Sequence, residues 1–275
     1  MNQSLLAWLT KRARRILKSR TARGFAMRLA DAEVRRRDTE DQAYFRSLKD
    51  KYKGRRGFVI GNGPSLRVSD LDMLVNEITI ASNKIYLAFD QVQWRPTVYT
   101  IVDRLVWDKT YAQLAAHGLF PTITSYLPTK PIPHHRAHYL GNAVDLFLQG
   151  EGYSFSTDMA RGLFGGYTVT FENLQIAFHL GVDPIYLVGC DHYYQGEDQD
   201  VIPESPVLAN TTANHFVPNY RELGERVNPA PIRKMTVAYE IAARVAKKTG
   251  RSICNASRYS YLEVFPRSEF EDLFH

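Results

Sequence analysis

Only two cysteines, Cys190 and Cys254, occur in 275 residues. Each sits in an apolar, strand-like run, so both read as buried thiols of a reducing compartment, and a disulfide-built scaffold is excluded. No apolar run reaches the ~18 residues of a membrane-spanning helix, and no secretory leader is visible. Acidic pairs with metal-ligand spacing are scarce. Asp70-Leu71-Asp72 stands at an expected helix start, where carboxylates favour the dipole, and Asp198-Gln199-Asp200 lies in an acidic loop. His134, His135 and His138 lack the i, i+4 spacing of a helical zinc site and read as surface histidines. The expectation is a cytoplasmic protein without a metal site, whose 44% hydrophobic content suffices for one large core or two small ones.

Positive charge is confined to one end. Residues 1–56 carry 17 Lys/Arg against 6 Asp/Glu, which leaves the remainder mildly acidic although the whole chain is +6. An acidic body argues against a nucleic-acid partner. Near the N-terminus Leu5, Leu6, Trp8, Leu9, Ala13, Ile16 and Leu17 recur at helical spacing, with Lys11, Arg12, Arg14, Arg15, Lys18 and Arg20 between them. A helix with a Leu/Trp face and a cationic face suits an anionic membrane surface. Residues 1–54 are therefore expected to form a basic helical arm. Its first 22 residues would attach peripherally to the inner face of the membrane, and a charged stretch from Phe25 to Lys51 would act as a solvated connector.

Residues 55–275 read as one α/β domain. Gly57-Phe58-Val59-Ile60 runs into Gly61-Asn62-Gly63-Pro64-Ser65-Leu66. Glycines permit close backbone approach, and Pro64 would pre-set a helix whose free N–H groups attract phosphate. The turn is neither a GxGxxG fingerprint nor a Walker A loop, because no Lys-Ser/Thr pair follows Gly63. An amphipathic helix over Leu66, Leu71, Leu74 and Val75 is expected next. Further buried strands are read at Ile78–Ala81, Thr97–Val102, Thr122–Thr124, Pro184–Gly189 and Ser252–Cys254. Helical patterns over Leu105–Ala116, Thr170–Leu180 and Thr236–Lys248 alternate with several of them.

Continuously apolar strands alternating with helices imply a Rossmann-like, mostly parallel sheet covered on both faces. Ligands bind at the carboxyl ends of such strands, which selects Asn83, Asp103, Asp191 and Asn255 beside the glycine turn. The irregular stretch of about 192–231 reads as a lid. It contains Tyr193, Tyr194, His215, Asn219 and Tyr220; tyrosines can stabilise a leaving phosphate and His215 can act as a base. Arg161, among Gly162, Gly165 and Gly166, is a candidate for reaching a sugar carboxylate.

Several segments together carry a resemblance: the Gly61–Leu66 turn, Ser82–Tyr86, Gln175-Ile176-Ala177 and Leu180-Gly181 before Ile185-Tyr186-Leu187. They are followed by Gly189-Cys190-Asp191-His192-Tyr193, Asn255-Ala256-Ser257 and Val264-Phe265-Pro266. Over residues 55–274 the chain resembles the bacterial proteins named for their likeness to 6-hydroxymethylpterin diphosphokinase. More distantly, it is similar to CMP-sialic acid-dependent sialyltransferases of the Campylobacter type. The second resemblance implies a nucleotide-sugar transferase fold with a flexible lid. It places donor contacts on Gly61, Asn62, Gly63, Ser65, Asn83 and Asp103, and a phosphate contact on Tyr193. By register the family's base falls on Asn219, with His215 four residues earlier, and its donor-sugar Ser-Gly falls on Val169-Thr170, where Thr168 is the retained hydroxyl.

The resulting expectation is an inverting, metal-independent transferase. It would move an acidic sugar from a CMP-sugar to a glycan or lipid-linked acceptor in surface polysaccharide synthesis. Catalysis is placed on His215, Tyr193 and Asn219. Donor binding is placed on Gly61, Asn62, Gly63, Pro64, Ser65, Asn83, Asp103, Thr168, Asp191, Tyr194, Asn255 and Ser257. Two alternatives stay open. One is an ATP-dependent pterin diphosphotransferase with Mg²⁺ between Asp103 and Asp191; the other is a membrane-attached nucleotide-binding scaffold without catalysis. A homo-oligomer is compatible with every reading.

Overall fold

The computed structural model describes residues 40–114, 122–124, 137–139, 154–195, 206–209 and 213–275. The proposed membrane segment, His134, His135 and Asp198–Asp200 lie outside them.

Among these residues, seven strands form one sheet: β1 Gly57–Ile60, β2 Ile78–Ser82, β3 Val98–Ile101, β4 Thr122–Thr124, β5 Ala137–Tyr139, β6 Ile185–Val188 and β9 Ile253–Asn255. Their order is β5-β4-β3-β2-β1-β6-β9, with every neighbouring pair parallel. A short antiparallel pair, β7 Val207–Leu208 and β8 Arg226–Val227, stands apart. The α-helices among the described residues are α1 Glu40–Ser47, α2 Arg104–Leu114, α3 Val169–His179 and α4 Ile232–Thr249. The fold is Rossmann-like α/β.

The strands are apolar runs because both faces are covered. Every residue of β1 and β2 is buried, and alternate residues enter two different cores. Val59, Ile78, Ile80, Ile185 and Leu187 pack with Phe171, Leu174 and Phe178 of α3 and with Met235, Ala238 and Ala242 of α4. Phe58, Ile60, Ala81, Tyr99 and Ile101 face the other way, toward Leu66, Leu71, Trp94, Trp107 and Phe270.

α3 is the central buried helix. Thr168 caps it by accepting from the Thr170 N–H. Its Gln175 fixes the segment that leads into it: Oε1 accepts from the N–H groups of Ser156 (2.9 Å) and Phe164 (3.0 Å), and Nε2 donates to the Phe164 carbonyl (2.8 Å). α4 ends at Gly250, in the left-handed conformation (φ 69°) that a helix C-terminus favours.

Three expectations are corrected. The charged connector is docked in its described part, with Phe45 fully buried and its carbonyl 2.7 Å from His179 Nε2; the packed body thus begins by Glu40. The segment after the glycine turn is a 3-10 helix, Val68–Leu74, not an α-helix. Leu71 and Leu74 repeat at the three-residue period of that geometry, and both are buried. No α-helix N-terminus therefore stands behind Pro64 to attract phosphate. Finally, Cys190 is buried but Cys254 is only half-buried; both thiols are free. Among the described residues no helix is long and apolar enough to cross a membrane.

Candidate active site

β2 lies on one side of β1 and β6 on the other, so the strand order reverses at the carboxyl end of β1, where a parallel sheet opens a crevice. A cleft of about 400 Å³ occupies that position. Its floor comes from the strand ends: Gly61, Asn62 and Gly63 after β1, Ser82–Lys84 after β2, Val102 and Asp103 after β3, and Gly189–Tyr194 after β6. The start of α3 (Tyr167–Thr170 and Glu172) forms one wall. The segment containing Asn214, His215, Tyr220, Arg221 and Glu225 forms another.

The glycines are required by packing between two chain segments. A Cβ on Gly61 would stand 2.3 Å from the Gly189 carbonyl oxygen, and one on Gly63 would stand 2.6 Å from Asp191 Oδ2. The Gly63 N–H donates to Gly189 O (2.9 Å). Asp191 then accepts from the Ser65 N–H (2.8 Å) and, through its other oxygen, from the Ser65 hydroxyl. Burial raises the Asp191 pKa, against the two Ser65 hydrogen bonds that lower it. Asp191 and Ser65 thereby lock the turn.

Polar groups left without partners mark the cleft. Among the described residues eight side chains hold a buried polar atom that makes no hydrogen bond, and six of them line it: Asn62, Ser82, Asn83, Glu172, His192 and His215. Such atoms are costly, and a site awaiting a polar ligand accounts for them. Backbone strain gathers here too. Of the four described non-glycine residues in the left-handed region, Asn83 (φ 56°), Tyr167 (φ 62°) and His192 (φ 57°) line the cleft.

Asn62 donates to the Ser82 carbonyl (3.1 Å), leaving Oδ1 unpaired. Asn83 is held by Tyr99, whose hydroxyl donates to its carbonyl, and its Oδ1 is also unpaired. His215 stacks on Tyr220 (3.8 Å between centroids, 8° between planes). Its neighbour Phe216 donates a backbone N–H to Asn62 O (3.1 Å), pinning this wall to the glycine turn. Burial first, then Arg221 and Lys84, lowers the His215 pKa to about 2. Lys84 is positioned by the Tyr220 carbonyl (2.6 Å) and by Glu225 (3.4 Å), which also pairs with Lys109 (2.7 Å). At His192 the tautomer follows from its partner. The Thr236 hydroxyl donates to Ile232 O (2.9 Å), so His192 Nε2–H donates to Thr236 Oγ1 (2.8 Å) and Nδ1 keeps a free lone pair. Burial lowers this imidazole to about 4. Burial raises the Glu172 carboxyl to about 8, while its own backbone N–H pulls the other way.

The structure brings together Gly61, Asn62, Gly63, Asn83, Asp103, Thr168, Asp191, Tyr193, Tyr194 and His215. It places Pro64, Ser65, Asn219, Asn255 and Ser257 outside the cleft. Pro64 and Asn219 are exposed, and Ser65 is engaged by Asp191. Asn255 donates to Ser260 Oγ and Leu262 O (3.0 Å each) and accepts from the Ser257 N–H (3.1 Å), while Ser257 Oγ accepts from the Cys190 N–H (2.9 Å). These two residues bind the chain's last segment to the end of β6. Arg161 is exposed and outside the cleft. Lys84, Glu172, His192, Arg221, Glu225 and Arg226 are among the cleft residues to which sequence reasoning gave no role. Glu172 sits in the first turn of a helix, where an acid reads as a dipole partner.

The sequence profile of one family, 6-hydroxymethylpterin diphosphokinase MptE-like, matches residues 37–197. The chain belongs to this MptE-like family. The match takes in all the strand ends that floor the cleft and stops before the His215–Glu225 wall. No curated protein matches. Among solved structures, the MAf glycosyltransferase from Magnetospirillum magneticum AMB-1 aligns at 14% identity and a TM-score of 0.46. That alignment covers 84% of this chain, which spans only 38% of the Magnetospirillum chain. The sialyltransferase CstII from Campylobacter jejuni, solved with CMP-3FNeuAc, aligns at 16% identity and a TM-score of 0.41, covering 78% of this chain and 85% of that one. A UDP-glucose 4-epimerase from Brucella ovis aligns at 12% identity and a TM-score of 0.25, covering 72% and 50%.

The buried titrating groups set a pH dependence of stability. Folded His192 and His215 refuse protons that the unfolded chain takes up below about 6.5, so stability falls with pH by at most about 1.4 kcal/mol per unit for each. Glu172 acts oppositely: its folded form keeps a proton that the unfolded chain releases near 4.5, so stability falls as pH rises from there toward about 8. Thermal melts from pH 4 to 9 should peak near 6.5. Glu172→Gln should flatten the alkaline limb and steepen the acid limb between about 4.5 and 6.5, where Glu172 no longer opposes the histidines; an unchanged alkaline limb would refute the raised carboxyl.

Proposed function

We propose that the cleft binds a CMP-activated acidic sugar and that the protein transfers this sugar, with inversion, to a glycan or lipid-linked acceptor. The observation that carries the reading is the pair of unpaired acceptors, Asn62 Oδ1 and Asn83 Oδ1, at the sheet's switch point. Acceptor-only atoms suit ribose hydroxyls or an exocyclic amino group. Lys84, Arg221 and Arg226 in the same cleft supply positive charge for a phosphate. Tyr193, 46% exposed and paired with the Tyr261 ring at 5.3 Å, offers a hydroxyl to the leaving phosphate and an aromatic face to an acceptor sugar. A basic arm over residues 1–22 would hold the enzyme at an anionic membrane carrying the acceptor.

The family's own description favours a second reading, diphosphoryl transfer from ATP to a pterin alcohol with Mg²⁺ between Asp103 and Asp191. The side chains do not fit that clamp. Both Asp191 oxygens are engaged by Ser65, and those of Asp103 accept from the Leu105 N–H (2.8 Å) and Asn228 Nδ2 (2.9 Å).

A thermal-shift series with CMP, CDP, UDP, GDP and ATP, each with and without Mg²⁺, separates the readings. At a hundred times its Kd a nucleotide stabilises by about 2.7 kcal/mol, or roughly 5–10 °C for a chain of this size. CMP should produce that shift without Mg²⁺. Asn62→Ala, or Asn83→Gly (which keeps the left-handed backbone), should reduce it by more than half. A shift with Mg·ATP and none with CMP would overturn the proposal in favour of the diphosphotransferase. A CMP shift without sugar transfer to any acceptor would favour the non-catalytic scaffold.

A further inference from the structure

Among the described residues the cleft contains one carboxyl with a buried oxygen that makes no hydrogen bond. Glu172 lies in the first turn of α3 beside Thr168. An acid in that position ordinarily points to solvent and offsets the helix dipole. Here its Oε2 is buried and has no hydrogen-bond partner, and the residue lines the cleft. An unsatisfied buried carboxyl is destabilising, so a fold that keeps one is holding it for a ligand.

We propose that Glu172 is the general base of the reaction, the group that takes the proton from the attacking acceptor hydroxyl. This rests on the glycosyl-transfer reading above. In the step, the acceptor oxygen forms a bond to the anomeric carbon and its proton passes to Glu172 Oε2. The bond from that carbon to the CMP phosphate oxygen breaks, with the electron pair leaving on the phosphate. Glu172 then returns the proton to water.

The other candidates are weaker on geometry or basicity. Asn219 is exposed, outside the cleft, and its amide is not basic. Asp103 and Asp191 already accept hydrogen bonds through both oxygens. Both histidines are buried neutral, far below working pH, although His192 keeps a free lone pair. The charged groups sharing the cleft are Lys84, Asp103, Asp191, Arg221, Glu225 and Arg226. Burial alone sets the direction for Glu172, to about 8, so close to a tenth of it is ionised at pH 7 and the protein holds both forms near neutrality.

The test uses the full chain with CMP-N-acetylneuraminic acid as donor and water as the simplest acceptor. Release of CMP is followed from pH 5 to 9.5, after subtraction of the spontaneous rate. The enzymic rate should rise about tenfold per pH unit and level near 8. Glu172→Gln should lower it by about 10²–10⁴-fold and remove the pH dependence, while its CMP thermal shift matches the wild type. Glu172→Asp should recover part of the rate. An unaltered rate in Glu172→Gln, or a rate that levels near pH 4 and is lost in His192→Gln, overturns the assignment. If this donor is not turned over, the ¹³C NMR titration of the Glu172 carboxyl decides. A midpoint near 8 supports the assignment and one near the ordinary 4.5 overturns it. Absence of any CMP thermal shift in the wild type instead withdraws the transfer reading, and the base with it.

Discussion

Gly61→Ala is expected to be the most damaging added methyl group among the described glycines. The new Cβ would stand 2.3 Å from the Gly189 carbonyl oxygen and 2.8 Å from the carbonyl carbon, with Cys190 Sγ at 3.0 Å. The first two belong to the backbone, so no side-chain rotation relieves the clash. The ends of β1 and β6 must separate, breaking the Gly61 N–H bond to Val188 O (2.8 Å) at the central pairing of the sheet. Overpacking costs about 1–3 kcal/mol, and a clash with backbone belongs at the upper end of that range, which lowers Tm by roughly 10 °C. Gly224→Ala is the control, because that glycine has a positive φ of 78° but nothing within 4 Å of the added carbon. Its cost is about 1–2 kcal/mol of backbone strain. Urea midpoints measured for both variants check the argument; a loss in Gly61→Ala no larger than that in Gly224→Ala would refute the clash. The CMP thermal shift should vanish in Gly61→Ala and persist in Gly224→Ala.

Arg258→Ala should be nearly as severe, for a different reason. The guanidinium grips Asp70 through two bonds, Nη1–Oδ2 at 2.6 Å and Nη2–Oδ1 at 2.9 Å. The two side chains are only 11% and 4% exposed. Nη1 also donates to the Ser65 carbonyl (3.3 Å), so the pair braces the glycine turn from behind. Removing the arginine strands a buried carboxylate, which costs about 3–5 kcal/mol. Adding Asp70→Asn to Arg258→Ala should restore part of that loss, because the stranded charge is gone. Glu271, which also meets Arg258 (2.6 Å) but is half exposed, should matter little, at about 1 kcal/mol or less in Glu271→Gln. Urea denaturation of the single and double variants distinguishes these effects; a double variant no more stable than Arg258→Ala would mean that the charge was never the issue.

The sheet was legible because its strands are buried on both faces. Gly57–Ile60, Ile78–Ser82 and Ile185–Val188 are unbroken apolar runs that few other structures accommodate. β5 was missed: Ala137-His138-Tyr139 offers no apolar run, and its place at the sheet edge demands none. Of the residues selected by the strand-end rule, Asn83, Asp103 and Asp191 line the cleft and Asn255 does not. Its strand, β9, pairs beyond β6 at the opposite edge from the β1–β3 floor, and strand order is not written in local pattern. Glu172 was invisible for a related reason. A first-turn glutamate looks the same in sequence whether it faces water or a cavity, and only the packing of α3 against the sheet decides which. Lys84 stood inside a recognised segment, but its task depends on Tyr220 and Glu225, residues brought to it by the fold.

The parallel sheet also dictates when the protein becomes complete during synthesis. β1 borders β2 soon after it emerges, but its other neighbour, Ile185–Val188, is translated much later. Until then β1 is an open edge, able to pair with the wrong chain. The crevice lies at the ends of these two strands, so a nascent chain arrested before Val188 has half a floor.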